Sequence, residues 1–82
     1  MKLDHSAIVE ELIRLLEAAL GRRQAMSADT ALIADLGLES IQVIEYLCEV
    51  EDRFDLAIDE DTLADVQTVG DLAAVVQRLL NG

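Results

Sequence analysis

Few side chains in this sequence can do chemistry. His5 is the only histidine and Cys48 the only cysteine in 82 residues. A Ser–His or Cys–His nucleophilic pair would have to use His5, which stands at an end expected to fray. One Cys and one His are too few for a zinc site, so His5 reads as a solvated terminal residue. The acids of 55–66 fail as a calcium loop. Counting from Asp55, the sixth position is Glu60 where glycine is required, and the twelfth is Val66 where glutamate is required. Paired carboxylates are a general acid–base resource, but so short a chain does not enclose a substrate pocket and a core together.

What remains is Asp35-Leu36-Gly37-Leu38-Glu39-Ser40-Ile41. Gly37 can take a left-handed turn, and Leu36 and Leu38 can pin that turn to a core. Ser40 then stands at the start of a helix with its hydroxyl exposed. A phosphate-linked group is favoured there by free backbone N–H groups and the helix dipole. On spacing alone the simpler reading wins, that Ser40 is only an N-cap.

Four elements must position this segment. Ile8, Val9, Leu12, Ile13, Leu15, Leu16, Ala19 and Leu20 share one broad face at helical spacing, with Glu10, Arg14 and Glu17 opposite. That predicts a first helix from Asp4 or Ser6 to Leu20, stopped by Gly21. Arg22 and Arg23 follow where the dipole favours cations. Residues 21–39 lack periodicity, and Leu32, Ile33, Leu36 and Leu38 are the expected anchors of this long loop. A short helical turn near Thr30–Ile33 is compatible with the spacing. A second helix is predicted from Ser40 to Phe54 with a core stripe of Val43, Leu47, Val50 and Phe54. Asp59-Glu60-Asp61 reads as the acidic first turn of a short helix ending near Ala64 or Asp65. A last helix starts at Thr68, with Asp71 three residues on as in a capping box. Its arc is Val69, Leu72, Ala73, Val75, Val76, Leu79 and Leu80, and Asn81-Gly82 ends it. The fold class expected is all-α: one domain over residues 1–82, three main helices plus one short helix.

Composition narrows the class further. Only Tyr46 and Phe54 are aromatic, so the core must be aliphatic. One cysteine allows no internal disulfide. No stretch reads as a signal peptide or a membrane span, and a cytoplasmic chain is expected. The net charge is −11. Its acids concentrate between Asp35 and Asp65, where Arg53 is the only base. Such a field repels nucleic acid and anionic membrane, favours a monomer, and attracts enzymes with basic patches. A purely solubilising surface is the alternative reading.

At this point the sequence resembles the acyl carrier protein family. The family's attachment motif, Leu-Gly-x-Asp-Ser-Leu, reads here Leu36-Gly37-Leu38-Glu39-Ser40-Ile41. Residues 45–56 resemble its second helix with the Glu-x-x-Phe-x-Ile ending, and Thr68-Val69-Gly70-Asp71-Leu72 resembles the Thr-Val-x-Asp opening of its last helix. The match runs in order from Ile8 to Leu80. Glu39 replaces the usual Asp, Ile41 replaces Leu, Gln42 replaces a common acid, and Asp59 stands where many members have proline. Leu38 stands where peptidyl carriers have a second glycine, which favours an acyl carrier.

The resemblance implies a role and a site. Ser40 carries a 4'-phosphopantetheine arm taken from coenzyme A by a phosphopantetheinyl transferase, within the context Gly37, Leu38, Glu39 and Ile41. The arm's thiol holds acyl groups as thioesters and presents them to enzymes such as ketosynthases or acyltransferases of fatty acid, polyketide or related biosynthesis. The chain itself is then no enzyme and needs no metal. Glu45, Glu49 and Asp52 form one exposed stripe, with Ile41 and Cys48 along its edge and Ile44 between them and the core, which fits a transient docking surface. Cys48 reads as a half-buried apolar residue. An acyl chain tucked between the second and third helices would meet Leu56, Ile58 and Leu63, which are equally well explained as core. An interaction module that keeps the fold without the arm is the competing function.

Overall fold

The computed structural model describes residues 4–21 and 23–81, apart from the side chain of Glu60. Arg22 and Gly82, read above as helix-end residues, lie outside the described residues. Helix α1 spans His5–Leu20. Asp4 caps it by accepting from the Ala7 N–H at 2.8 Å. Gly21, at φ 70°, stops it and returns its N–H to the Glu17 carbonyl at 2.9 Å. Helix α2 spans Ser40–Phe54. Asp55 ends it in the left-handed region at φ 54°, a conformation that a short polar side chain tolerates better than most.

The single-turn helix α3, Glu60–Leu63, starts on Asp59, whose carboxylate accepts from the Asp61 N–H at 3.1 Å. Helix α4 spans Val69–Asn81. The Thr68 hydroxyl accepts from the Asp71 N–H at 3.1 Å while Asp71 accepts from the Thr68 N–H at 3.1 Å. A shorter acid thus closes the box that usually needs Glu.

The protein is a small all-α bundle in which α1 packs chiefly on α4 and then on α2. Ile8, Leu12 and Leu16 meet Tyr46, Leu47 and Val50 of α2 and Val69, Leu72, Ala73 and Val76 of α4. Each Ile, Leu and Val side chain among them contributes about 1.5–3 kcal/mol on burial. The loop closes the core with Leu32, Leu36 and Leu38. It is also pinned to the start of α4 by an isolated antiparallel bridge between Ala31 and Thr68. There Leu32 N–H donates to Gln67 O at 2.9 Å, and Val69 N–H donates to Thr30 O at 3.0 Å.

Several expectations need correction. Ile33 is no anchor: it is 62% exposed, because the chain winds through turns from Ala31 to Leu36 and carries it round from Leu32 to the outside. Those turns contain no helix at Thr30–Ile33. Leu79 and Leu80 are exposed, since no described residue covers the last turn of α4. Ala19 is exposed at the end of α1, and Glu17 opposite it is half-buried. Val43 and Phe54 are half-buried edges of the α2 stripe rather than its centre. Tyr46 instead is 2% exposed, its hydroxyl donating to the Leu12 carbonyl at 2.9 Å. His5 is exposed as expected, but its Nε2 lies 3.1 Å from the Gly70 carbonyl, so the helix start is tied rather than loose.

Candidate functional site

The segment that ends at Ser40 is held from both sides. Leu36 and Leu38 are buried, and the exposed Gly37 between them sits at φ 69°. A left-handed residue lets two neighbours enter the same core. The turn is closed by Gly37 N–H to Ile33 O at 3.0 Å and Leu38 N–H to Leu32 O at 3.3 Å. Asp35 braces its start by accepting from the Ala31 N–H at 2.8 Å.

Ser40 is not the N-cap. Glu39, extended at φ −83° and ψ 162°, holds that position, and Ser40 is the first helical residue. Gln42 Oε1 accepts from the Glu39 N–H at 2.8 Å, while the Glu39 carboxylate faces the Gln42 N–H in the reciprocal half of a capping box. Val43 N–H goes to the Glu39 carbonyl at 3.0 Å. Of the orphan donors of this helix end, those of Ser40 and Ile41 are left to solvent. Ser40 is exposed, and its hydroxyl has no partner among the described residues. An exposed primary hydroxyl beside two free N–H groups fits a phosphodiester at this position. The sequence already held the signal for this cap in the Glu39-x-x-Gln42 spacing, but glutamate is an unusual N-cap.

Beyond Ser40 the predicted surface residues all face outward. Ile41 and Ile44 are 57% and 51% exposed. Glu45, Glu49 and Asp52 are exposed as well. So is Cys48, contrary to its half-buried reading, because it falls on the solvent side of α2 with Ile41. The acids of the region divide into two kinds. Asp35, Asp59 and Glu51 accept from backbone N–H groups, Glu51 holding Ile58 N–H at 2.8 Å. Glu45, Glu49 and Asp52 have no cationic partner among the described residues. Arg53, the one base of the segment, is held by Glu11 of α1 at 2.8 Å.

A cleft of about 270 Å³ opens between α2, the 31–34 loop and the segment after α3. Val43, Leu47, Leu63, Val66 and Leu32 line it, with Ile33 at its edge and Gln67 as its one polar residue. Leu63 is placed as expected, but Leu56 and Ile58 do not line the cleft. Both are half-buried against the core, drawn in where Glu51 holds the backbone after α2. Spacing alone makes Val43 and Leu47 core. Leu47 is seven residues from Ser40, within about 20° of its direction around the helix and roughly 10 Å along the axis. A group hung from Ser40 therefore lies above the stripe that floors the cleft. Among the described residues no set of His, Cys, Asp and Glu is grouped as a metal site.

Known proteins share this arrangement. The family model described as a phosphopantetheine attachment site matches residues 10–76. An acyl carrier protein of Rhodococcus erythropolis is 29% identical over 88% of this chain and 80% of its own. One from Exiguobacterium sibiricum is 32% identical over 71% and 75%. A meromycolate extension acyl carrier protein of Mycolicibacterium aurum is 26% identical over 96% and 82%. A solved Mycobacterium tuberculosis structure assigned as an acyl carrier protein superposes with a TM-score of 0.79 at 30% identity, over 85% of this chain and 95% of that one. A match across most of the chain and a shared helical fold agree: this protein belongs to the acyl carrier protein family, with 4'-phosphopantetheine as its prosthetic group.

Proposed function

We propose that Ser40 is the residue that carries the arm. The observation behind this is its position as an exposed first helical residue, with the turn before it fixed by Leu36, Gly37 and Leu38 and the cap around it fixed by Glu39 and Gln42. In the modification, Ser40 Oγ forms a new P–O bond as the pyrophosphate link of coenzyme A breaks. The adenosine bisphosphate leaves, and the hydroxyl proton passes to a base of the transferase. No His lies near Ser40 to take that proton, His5 being at Gly70, so the partner must supply the base. Once bound, the arm supplies a thiol that holds an acyl group as a thioester.

On this reading the chain acts as one carrier domain over residues 1–82 and performs no catalysis of its own. Its partners are a phosphopantetheinyl transferase and enzymes such as ketosynthases or acyltransferases of fatty acid, polyketide or related biosynthesis. They meet Ile41, Ile44, Glu45, Cys48, Glu49 and Asp52, whose exposure, and whose acids' lack of a cationic partner among the described residues, support a transient surface. No described helix is long and apolar enough to cross a membrane. The charge of −11 supports a cytoplasmic monomer that avoids nucleic acid and anionic lipid. An acyl chain resting on Val43 and Leu47 is the use of the apolar cleft that fits its position below Ser40.

The test is intact mass after incubation of the apo protein with coenzyme A and a broad-specificity transferase. One phosphopantetheine should be gained, and none by Ser40→Ala. A variant that still gains the group at another residue refutes the assignment. Charge reversal at Glu45 and Glu49 should slow transfer to partner enzymes and flatten its salt dependence; unchanged rates at low salt count against the docking surface.

A further inference from the structure

A second hollow, of about 150 Å³, lies on the other flank of α2, where the end of α1 runs past it. Buried Leu16, Leu38 and Tyr46 give it an apolar floor, continued by half-buried Leu20. Exposed Glu45 and Glu49 stand at its rim, one helical turn apart. The nearest cation in sequence that could neutralise Glu49, Arg53, is engaged by Glu11. Burial and, after it, the charge of Glu49 push the Tyr46 phenol up.

We propose that this hollow receives a lysine or arginine of the transferase that modifies Ser40, its stem on the apolar floor and its charged head between Glu45 and Glu49. The chemistry matches on both counts. A long basic side chain is apolar for most of its length and cationic only at its tip. The hollow supplies apolar surface below and, above, two carboxylates with no cationic partner among the described residues. At about 150 Å³ it has room for one side chain and is too small for a helix.

Position selects the partner. Leu38 and Gln42, both lining the hollow, stand two residues before and two after Ser40. An enzyme that acts on the Ser40 hydroxyl must press against this turn. Enzymes that act on the far thiol reach it through the arm and can dock on the α2 stripe without pressing on this turn. The inference rests on the reading that Ser40 is modified. It adds the end of α1 to a surface otherwise confined to α2.

Ala19 and Ala18 make the test, because both are exposed on α1 and only Ala19 lines the hollow. Ala19→Arg fills the site with an internal cation, and Ala18→Arg makes the same change of net charge off the site. With apo protein, coenzyme A and the transferase, kcat/KM for modification should fall about tenfold for Ala19→Arg, or about 1.4 kcal/mol. Ala18→Arg should stay within about twofold of wild type, the expectation for a rim charge acting through the general field. The gap should persist in 0.5 M salt, where the long-range field is screened. Ala19→Phe, which fills without charge, should slow the reaction as well, with circular dichroism verifying the fold of each variant. Equal rates for the two arginine variants, whether slowed or not, overturn the hollow as a docking point and leave the α2 stripe standing. Wild type that gains no phosphopantetheine overturns the Ser40 reading itself.

Discussion

Gln42 Oε1 accepts the backbone N–H of Glu39 at 2.8 Å, and this bond brackets Ser40 from both sides. Two departures from the family motif, Glu39 for Asp and Gln42 for an acid, thereby meet in one cap. A longer acid at the N-cap is balanced by a neutral amide three residues on. The exchange also removes a negative charge from the first turn, close to where a phosphodiester is proposed to hang.

Gln42→Ala should therefore weaken the start of α2. Loss of a helix cap costs about 1 kcal/mol, and for a domain of this size that lowers the thermal midpoint by roughly 4–8 °C. A thermal melt followed by circular dichroism measures it. A midpoint shift below about 2 °C would show that the cap is not holding the turn.

The glycines at 37 and 70 should fail for opposite reasons when changed to alanine. At Gly37 a Cβ would meet nothing within 4 Å, so the cost lies wholly in φ 69°, about 1–2 kcal/mol. Asn should recover part of it, since its side chain tolerates that region. At Gly70 the backbone is helical, but a Cβ would lie 2.9 Å from the Ala28 carbonyl oxygen and 3.2 Å from the Ala28 Cβ. Helix preference favours alanine there by about 0.5–1 kcal/mol. The clash should outweigh it, because it pushes against the backbone acceptor of the Gly70 N–H bond. Urea midpoints of the three variants decide the ranking, and amide shifts at 27–31 should move in Gly70→Ala only.

The helices were legible because their faces and stops are local. The 15 residues of α2 and the glycine that ends α1 follow from spacing and composition alone. The exposure of Ser40, Glu45 and Glu49 was legible for the same reason. What escaped was set by contacts distant in sequence. Ile33 looks like any other loop anchor until the Leu32–Gln67 hydrogen bond fixes which neighbour turns inward. Tyr46 has a polar tip that argues for the surface until the Leu12 carbonyl, 34 residues away, offers it a partner. The cleft under Ser40 is formed by three segments whose meeting no periodicity encodes, and so Val43 and Leu47 read as core rather than as lining.

Tyr46→Phe isolates the tyrosine's hydrogen bond. The ring remains packed and only the bond to Leu12 O is lost, a change of about 0.5–1.5 kcal/mol for a typical buried pair. Tyr46→Ala should cost about 3–5 kcal/mol, as large aromatic truncations do, and should open the hollow beside Leu38. Chemical denaturation of both variants gives the two values. A Tyr46→Phe protein as stable as wild type would mean that the bond only offsets the desolvation of the hydroxyl.

Asp71 supplies the pH dependence. Its carboxylate accepts from Gln67 N–H at 3.0 Å and Thr68 N–H at 3.1 Å, and these bonds, Gln67 first, hold its pKa below the usual carboxylate range. A depressed folded-state value means that the unfolded chain takes up the proton first as pH falls. The stabilisation is thus complete above the unfolded value of about 3.9 and is lost as pH drops through the lower folded value. Asp71→Asn keeps an acceptor but not the charge. It should be less stable than wild type at pH 7, and the difference should shrink as pH falls below about 4. Comparing urea midpoints of the two proteins at each pH cancels the titration of the other acids. A difference that stays constant down to pH 2.5 would mean that the charge of Asp71 plays no part in holding the Gln67–Thr68 turn, whose Gln67 lines the cleft beneath Ser40.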